Sequence, residues 1–460
     1  MIDVTAFKDQ TVAVMGLGKS GLSAARALSA GGANVWAWDD GEARRKEAQG
    51  AGVNLADLYE ADWSKIETLV LSPGIPHTFP EPHAIAAKAS ENGAEIICDV
   101  DLLARTMLDA RYVGISGTNG KSTTTALIGH ILKTAGRPVE IGGNYGIPAL
   151  ELEPLTSDGA YVLELSSYQL ERVPSIALDV AILLNITPDH LNRHGGMDGY
   201  VAAKKIIFDR AKDDGHAIIG MEDANCRGLS LEMMVSGAFQ GGKNLTPISG
   251  SARVPGGVYV ENGTLIDDLD YGQTKIMDVS GLATLPGGHN WQNAAAAYAA
   301  AKFAGIDAGT IAAALQSFAG LAHRQELIRT IGRVSYVNDS KGTNTEAASR
   351  ALACYEHIHW IAGGEFKEDN LDALAEQLSR IDRAYLIGEA ADTFAGLLQG
   401  EADLEICGDL ATALEKAHEN AQASGVRATV LLSPACASFD QFENFEARGD
   451  AFRQMVEVLS

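Results

Sequence analysis

One repeating unit constrains this chain more than any other feature. Between residues 11 and 100, the short apolar runs TVAVMG, ANVWAWD, TLVLSPG and AEIICDV alternate with stretches of helical pattern. A strand can reach a parallel neighbour only through a crossover, and the crossover helices then cover the sheet. A second series starts at RYVGISG and continues through YVLELSS and DVAILLNIT. A third starts near VSYVNDS and includes IHWIAGG, RAYLIG and ATVLLSPA. Between the second and third lies a turn-rich stretch in which GGVYVENGTLI reads as a β-hairpin. NAAAAYAAAKFAG reads as a packed helix. The expected fold class is α/β with three consecutive domains, spanning residues 1–108, 109–320 and 321–460. The first and third read as Rossmann-like and the second as a P-loop-type ATPase domain.

The chain has 460 residues, too many for a single core. It carries 60 acids against 36 lysines and arginines, a formal charge of −24. Such a surface repels nucleic acid and anionic membranes, so neither is expected as a partner. An anionic small molecule remains possible, because local Lys, Arg and backbone N–H groups still build a positive pocket. The five cysteines, Cys98, Cys226, Cys354, Cys407 and Cys436, form no CxxC pair. That argues against zinc and fits a reducing compartment. MIDVTAFKDQ lacks the basic and apolar regions of a signal peptide, and no apolar stretch is long enough to span a bilayer. A cytoplasmic location is expected.

Two glycine loops carry the phosphate chemistry. In VAVMGLGKSGLSAA, Gly16, Gly18 and Gly21 follow a strand and open a helix, and Asp39 ends the next strand. Gly18, Lys19, Ser20 and Asp39 would receive a nucleotide's pyrophosphate and ribose. A nicotinamide enzyme explains residues 12–39 and nothing else. In GISGTNGKSTTT a strand runs into Gly117, Thr118, Asn119, Gly120, Lys121 and Ser122, and a helix follows. Backbone N–H groups there turn onto phosphate oxygens. Lys121 neutralises the β- and γ-phosphates, and Ser122 or Thr123 reaches a metal ion. The spacing departs from GxxxxGKS, which needs glycine where this chain has Ile115. A P-loop switch that drives a partner protein explains only residues 114–123.

Glu164, His190 and Lys204 fall beyond the carboxyl ends of strands, where open α/β sheets bind ligands. A carboxylate and an imidazole beside a phosphate loop suit Mg²⁺. Further on, Asp339 suits a ribose hydroxyl, and Arg324 and Lys341 suit phosphate or developing negative charge. Lys367 follows a strand and two glycines. Ser438 stands at what reads as a helix start, suited to a carboxylate.

Taken together, GTNGKST, ELSSYQLE, NITPDHLNRHGGMDGYVAAK, GGHNWQNAAAA, NDSKGTN and LLSPACASFDQFENFEARGDAF resemble the Mur ligase family over essentially the whole chain. NDSKGTN and SPACASFDQF point within it to addition of D-glutamate; a sibling or a folylpolyglutamate-synthetase-like enzyme with another acceptor is the alternative. The resemblance implies an ATP-dependent ligase that acts on UDP-N-acetylmuramoyl-L-alanine through an acyl phosphate. It implies a monomer whose partners are small substrates. The first domain then holds the uridine diphosphate part of the substrate rather than NAD. Ser72, Pro73 and Gly74, Asn144 and His190 join that set. ATP falls to residues 117–123 with Asn290, Asn293, Arg324 and Asp339. Lys204 matches a lysine carbamylated by CO₂, which with Ser122, Glu164 and His190 holds two Mg²⁺ ions. The third domain closes on ATP and binds D-glutamate through Lys341, Thr343, Lys367, Ser438, Phe439 and Phe445.

Overall fold

The structure, a computed structural model, describes residues 1–236, 244–368 and 370–460. Strands β1 (Thr11–Met15), β2 (Asn34–Trp38), β3 (Thr68–Leu71) and β4 (Glu95–Ile97) form a sheet in the order β2-β1-β3-β4. All of its pairs are parallel. Val12, Ala13, Val14 and Met15 are all buried, because both faces of the sheet are covered.

The central sheet has nine strands. These are β5 (Arg111–Ser116), β6 (Val139–Gly143), β7 (Ala160–Glu164), β8 (Leu178–Leu183), β9 (Ala211–Gly220), β10 (Asn244–Ser249), β11 (Val258–Glu261), β12 (Thr264–Asp267) and β13 (Thr274–Asp278). Their order is β13-β12-β11-β10-β9-β8-β5-β7-β6. From β6 to β11 the neighbours are parallel, and β11, β12 and β13 are antiparallel. The β11–β12 turn is Asn262-Gly263, with φ of 50° and 78°. Two positive φ angles are what a two-residue hairpin requires, so GGVYVENGTLI is the hairpin its sequence implied.

The third sheet comprises β14 (Glu326–Ile331), β15 (Val334–Asn338), β16 (Ile358–Gly363), β17 (Ile381–Ile387), β18 (Leu404–Gly408) and β19 (Ala428–Leu432). Its order is β14-β15-β19-β16-β17-β18, parallel except for the antiparallel edge strand β14.

The chain forms two compact units, Met1–Asp278 with Trp291–Ser317, and Val279–Asn290 with Phe318–Ser460. The first contains the four- and nine-stranded sheets, and one hydrophobic cluster serves both. It runs from Val12 and Leu28 through Leu103 and Tyr112 to Leu163 and Phe208. Every residue from Ala294 to Ala301 is buried, as the alanine-rich helix requires. Among the described residues, no helix is long and apolar enough to cross a membrane.

Candidate active site

Strand β5 lies between β8 and β7, so the loops after these three strands open at the same end of the sheet. The loop after β5 is shaped by Gly117 and Gly120, with φ of 150° and 86°, a region that favours glycine. A Cβ on Gly120 would lie 2.4 Å from Asn293 Oδ1. Asn185, just after β8, grips the loop from the side. Its Oδ1 accepts from the Asn119 N–H at 2.9 Å, and its Nδ2 donates to the Asn119 carbonyl at 2.9 Å. Thr118 donates through Oγ1 to the Thr187 carbonyl at 3.1 Å. Asn293 accepts from Thr124 Oγ1 at 3.3 Å. The helix Lys121–Thr134 begins at Gly120, which supplies no side-chain cap. Lys121 Nζ donates to the Gly117 and Thr118 carbonyls, both at 2.9 Å, and Thr123 is half-buried beside it. The result is a helix start with a lysine folded over it, suited to phosphate.

Glu164 ends β7 and is buried. Its Oε2 accepts from Ser122 Oγ at 2.5 Å, and its Oε1 accepts from Asn144 Nδ2 at 3.0 Å. Asn144 thus orients the carboxylate; the sequence suggested a substrate role for it. Both Glu164 oxygens are met by neutral donors. A buried carboxylate so placed favours a cation.

Lys204 lies on the helix Met197–Asp209 and is 2% exposed. Its Nζ donates to the Gly117 carbonyl at 2.9 Å and sits 4.7 Å from the centre of the Tyr200 ring. Burial first, and the charge of Lys121 second, push this amine well below the usual lysine value. A lowered pKa favours the neutral amine, the form that reaction with CO₂ requires. His190 follows β8 in the left-handed conformation, φ 53°, with its side chain 54% exposed. Desolvation lowers its pKa; Asp189, 3.6 Å away, opposes this, while Lys121 and Lys204 add to it. Among the described residues, no three His, Cys, Asp or Glu side chains converge on a metal position. One carboxylate, one hydroxyl and one imidazole beside a phosphate loop fit Mg²⁺, which takes most of its shell from phosphate and water.

In the first sheet, Gly16 has φ 88°, and a Cβ on Gly21 would fall 1.7 Å from the Gly16 carbonyl oxygen. Only glycine allows the helix Lys19–Ala30 to approach the loop this closely. Gly18 precedes that helix and faces open space, Lys19 is exposed and Ser20 half-buried. Asp39 is engaged by the glycine loop after β1 and by its own loop. Its Oδ2 accepts from the Leu17 N–H at 2.7 Å and its Oδ1 from the Gly41 N–H at 2.8 Å. Ser72 Oγ donates to the Gly16 carbonyl at 2.9 Å, and Pro73 and Gly74 follow in a turn.

In the second unit, Asp339 accepts from Ser433 Oγ at 2.7 Å and from the Gln325 N–H at 3.1 Å. Burial raises its pKa to about 7, against the lowering effects of Ser433, Gln325 and Arg324. Asn290 donates to the Pro286 carbonyl at 2.8 Å. Asn290 and Asn293 fall in different units although they share one helix. Lys341 Nζ lies 4.0 Å from the centre of the Phe445 ring, and Lys367 Nζ 5.4 Å from that of Phe439. The Thr343 N–H donates to the Lys341 carbonyl at 2.8 Å. The segment at Glu365 bridges to Ala437, which brings Lys367 to the Ser438 loop.

One expectation is corrected here. Ser438 is buried in a turn, its carbonyl accepting from the Gln441 and Phe442 N–H groups; it does not open a helix. The helix begins at Phe445, capped by Asn444, whose Oδ1 accepts from the Ala447 N–H at 2.7 Å. The sequence reading also missed Asn185 and Arg448. Buried Arg448 donates to Ser340 Oγ at 3.0 Å and to the Ser340 and Cys436 carbonyls at 2.8 and 3.1 Å. It thereby joins the Lys341 and Ser438 loops.

The Mur ligase middle domain family matches residues 115–301. The UDP-N-acetylmuramoylalanine–D-glutamate ligase of Rhodospirillum rubrum is 49% identical, over 100% of this chain and 97% of that protein. The ligase of the same name from Caulobacter vibrioides is 48% identical, over 100% and 98%. Among solved structures, UDP-N-acetylmuramate-alanine ligase MurC from Thermotoga maritima aligns with TM-score 0.57 at 15% identity, covering 97% of this chain and 99% of that one. A pseudomurein peptide ligase type C from Methanothermus fervidus gives 0.57 at 18%, covering 98% and 99%. These two share the three-domain α/β fold. Near-half identity along its whole length shows that the chain belongs to the Mur ligase family.

Proposed function

We infer that this chain joins the amino group of D-glutamate to the alanyl carboxyl group of UDP-N-acetylmuramoyl-L-alanine, with ATP converted to ADP and phosphate. The product is a peptidoglycan precursor. The observation that carries this reading is the whole-length identity with relatives named for that ligation. A nicotinamide enzyme would leave the phosphate loop, Glu164 and the buried Lys204 without a purpose.

The chemistry runs in two steps. A carboxylate oxygen of the alanyl group attacks the γ-phosphorus, the bond to the ADP oxygen breaks, and an acyl phosphate forms. The D-glutamate amine then attacks the acyl carbon, loses a proton and expels phosphate. Catalysis of this kind is mainly positioning and charge neutralisation. Residues 117–123 and Asn293 take the ATP phosphates, with Lys121 as the neutralising cation; Asn290, Arg324 and Asp339 are assigned to ATP as well. Gly18, Lys19, Ser20, Asp39, Ser72, Pro73, Gly74, Asn144 and His190 are assigned to the uridine nucleotide. Lys341, Thr343, Lys367, Ser438, Phe439 and Phe445 are assigned to D-glutamate. Ser122, Glu164, His190 and carbamylated Lys204 would hold Mg²⁺, two ions in all, which screens phosphate charge when bound. The low pKa and full burial of Lys204 support its carbamylation. Domains of residues 1–108, 109–320 and 321–460 divide these tasks, in a monomer of the cytoplasm.

ADP release tests the reading. Sustained turnover should require ATP, the uridine nucleotide and D-glutamate together. Phosphate release that continues without any amino acid would overturn it in favour of a P-loop ATPase.

A further inference from the structure

The largest cationic group buried in the first unit lies outside every motif discussed so far. Arg172 is 1% exposed. Its Nη1 donates to the Leu71 and Ser72 carbonyls at 3.4 and 3.1 Å, and its Nη2 to the Ile75 carbonyl at 2.7 Å. His77 Nδ1 accepts from Nε and Nη2 at 3.2 and 3.0 Å. Burial, then the Arg172 charge, holds that imidazole neutral, near pKa 4. No carboxylate accepts from the guanidinium among the described residues. Burial lowers its pKa to about 10, so it stays charged at neutral pH.

These acceptors are the end of β3, at Leu71, and the loop that follows it, Ser72-Pro73-Gly74-Ile75-Pro76-His77. Pro73 and Pro76 have no N–H to offer a ligand. The Ile75 N–H closes a turn on the Ser72 carbonyl at 3.0 Å. The Gly74 carbonyl accepts from Arg193 Nη1 at 2.9 Å, and the Pro76 carbonyl from the His83 N–H at 3.0 Å. Among the described residues, nothing accepts from the Gly74 N–H. A Cβ on Gly74 would meet nothing within 4 Å. Without the two arginines the loop would present a row of carbonyl oxygens, which repels an anion. With them the Ser72, Gly74 and Ile75 carbonyls are engaged, and the Gly74 N–H faces open space.

We propose that Arg172 is a positioning residue for the uridine-nucleotide substrate: together with Arg193 it holds the Ser72, Gly74 and Ile75 carbonyls, so that the loop meets an anionic group of that substrate with the Gly74 N–H and a buried positive charge. The proposal rests on the reading of Ser72–Gly74 as a substrate loop. A planar fork is needed, because Arg172 meets four acceptors from donors spread across its guanidinium, whereas an ammonium has three N–H groups on a single atom.

The test uses the full-length enzyme. For Arg172→Met, Arg172→Lys and Gly74→Ala, steady-state KM is measured for each of the three substrates, and uridine-nucleotide Kd without ATP by calorimetry. Thermal unfolding of each variant confirms that it is folded. Arg172→Lys should raise the nucleotide KM and Kd ~10-fold or more, the cost of one charge-assisted hydrogen-bond set. The KM values for ATP and D-glutamate should stay within about twofold, and kcat within about threefold, because the chemistry is not touched. If Arg172→Met fails to fold, Arg172→Lys decides. An unchanged nucleotide KM and Kd in Arg172→Lys, or equal shifts in all three KM values, overturns the proposal. Gly74→Ala places a methyl group where the substrate would lie. If it raises the nucleotide KM while Arg172→Lys does not, the loop binds but Arg172 does not set it. If neither variant moves that KM, the loop assignment itself is wrong.

Discussion

Ser122 and Glu164 meet hydroxyl to carboxylate across 2.5 Å, both buried, although they lie 42 residues apart in sequence. One opens the helix after the phosphate loop and the other closes β7. Glu164→Gln preserves the shape and removes the charge. It should lower kcat by about 100-fold or more, the scale of losing a metal's charge neutralisation. The Tm should not fall by more than a few degrees, since an unpaired buried charge is removed. Steady-state kinetics with a thermal melt reads both, and near-wild-type turnover would remove Glu164 from the metal set.

Lys204 sets its amine beside the Gly117 carbonyl, where burial lowers its pKa well below the usual lysine value. Lys204→Ala should lose most activity, about 100-fold or more on the same scale. Added formate or acetate should restore part of it by supplying oxygen ligands. Labelled bicarbonate should give wild-type protein a carbamate carbon signal that Lys204→Ala lacks. Full activity of Lys204→Ala would contradict the carbamate assignment.

Lys367 stands over the Phe439 ring, in the segment that bridges to the Ser438 loop. Lys367→Ala should raise the KM for D-glutamate by about 10- to 100-fold, the range for a lost hydrogen bond to a charged group. The KM for ATP should stay within about twofold on the same reasoning. Initial-rate titrations of each substrate check this, and equal shifts in both would show that Lys367 does not bind the acceptor.

Asp339 makes stability depend on pH. Its folded pKa is about 7, against an ordinary 3.8, because it is buried. Between these values the folded chain holds a proton that the unfolded chain releases. Its contribution is therefore complete below about pH 4 and is lost as pH rises through about 7, by at most roughly 4 kcal/mol. Asp339→Asn should flatten this part of the profile. Denaturant unfolding of both ligand-free proteins from pH 4 to 8 measures the difference; parallel curves would contradict it.

Much of the fold is legible because parallel strands covered on both faces read as continuous apolar runs, as in Val12–Met15 and Val430–Leu432. Strand β14, ELIRTI, is not legible, because as an edge strand it alternates exposed and half-buried residues and resembles a polar linker. The phosphate loop stands out through glycines that only its backbone requires, and Glu164 and Lys204 through their places after a strand and on a helix. Asn185, Arg172 and Arg448 are illegible for a shared reason. Each acts by tertiary contact, Arg172 and Arg448 on distant backbone carbonyls, which leaves no local pattern. Asp39 reads as a ribose ligand in sequence, and what the sequence does not show is that its carboxylate also accepts from the Leu17 and Gly41 N–H groups. Ser438 was misplaced because a turn of small and polar residues resembles a helix start until Asn444 is seen to cap the real one.

The most direct test of the central claim is mass spectrometry of the products formed from ATP and UDP-N-acetylmuramoyl-L-alanine with D-glutamate, L-glutamate, L-lysine or meso-diaminopimelate. The account predicts one D-glutamyl amide per ADP released, and little or no product from the other three. A preference for any of those three, or ADP release with no amide formed, would contradict it.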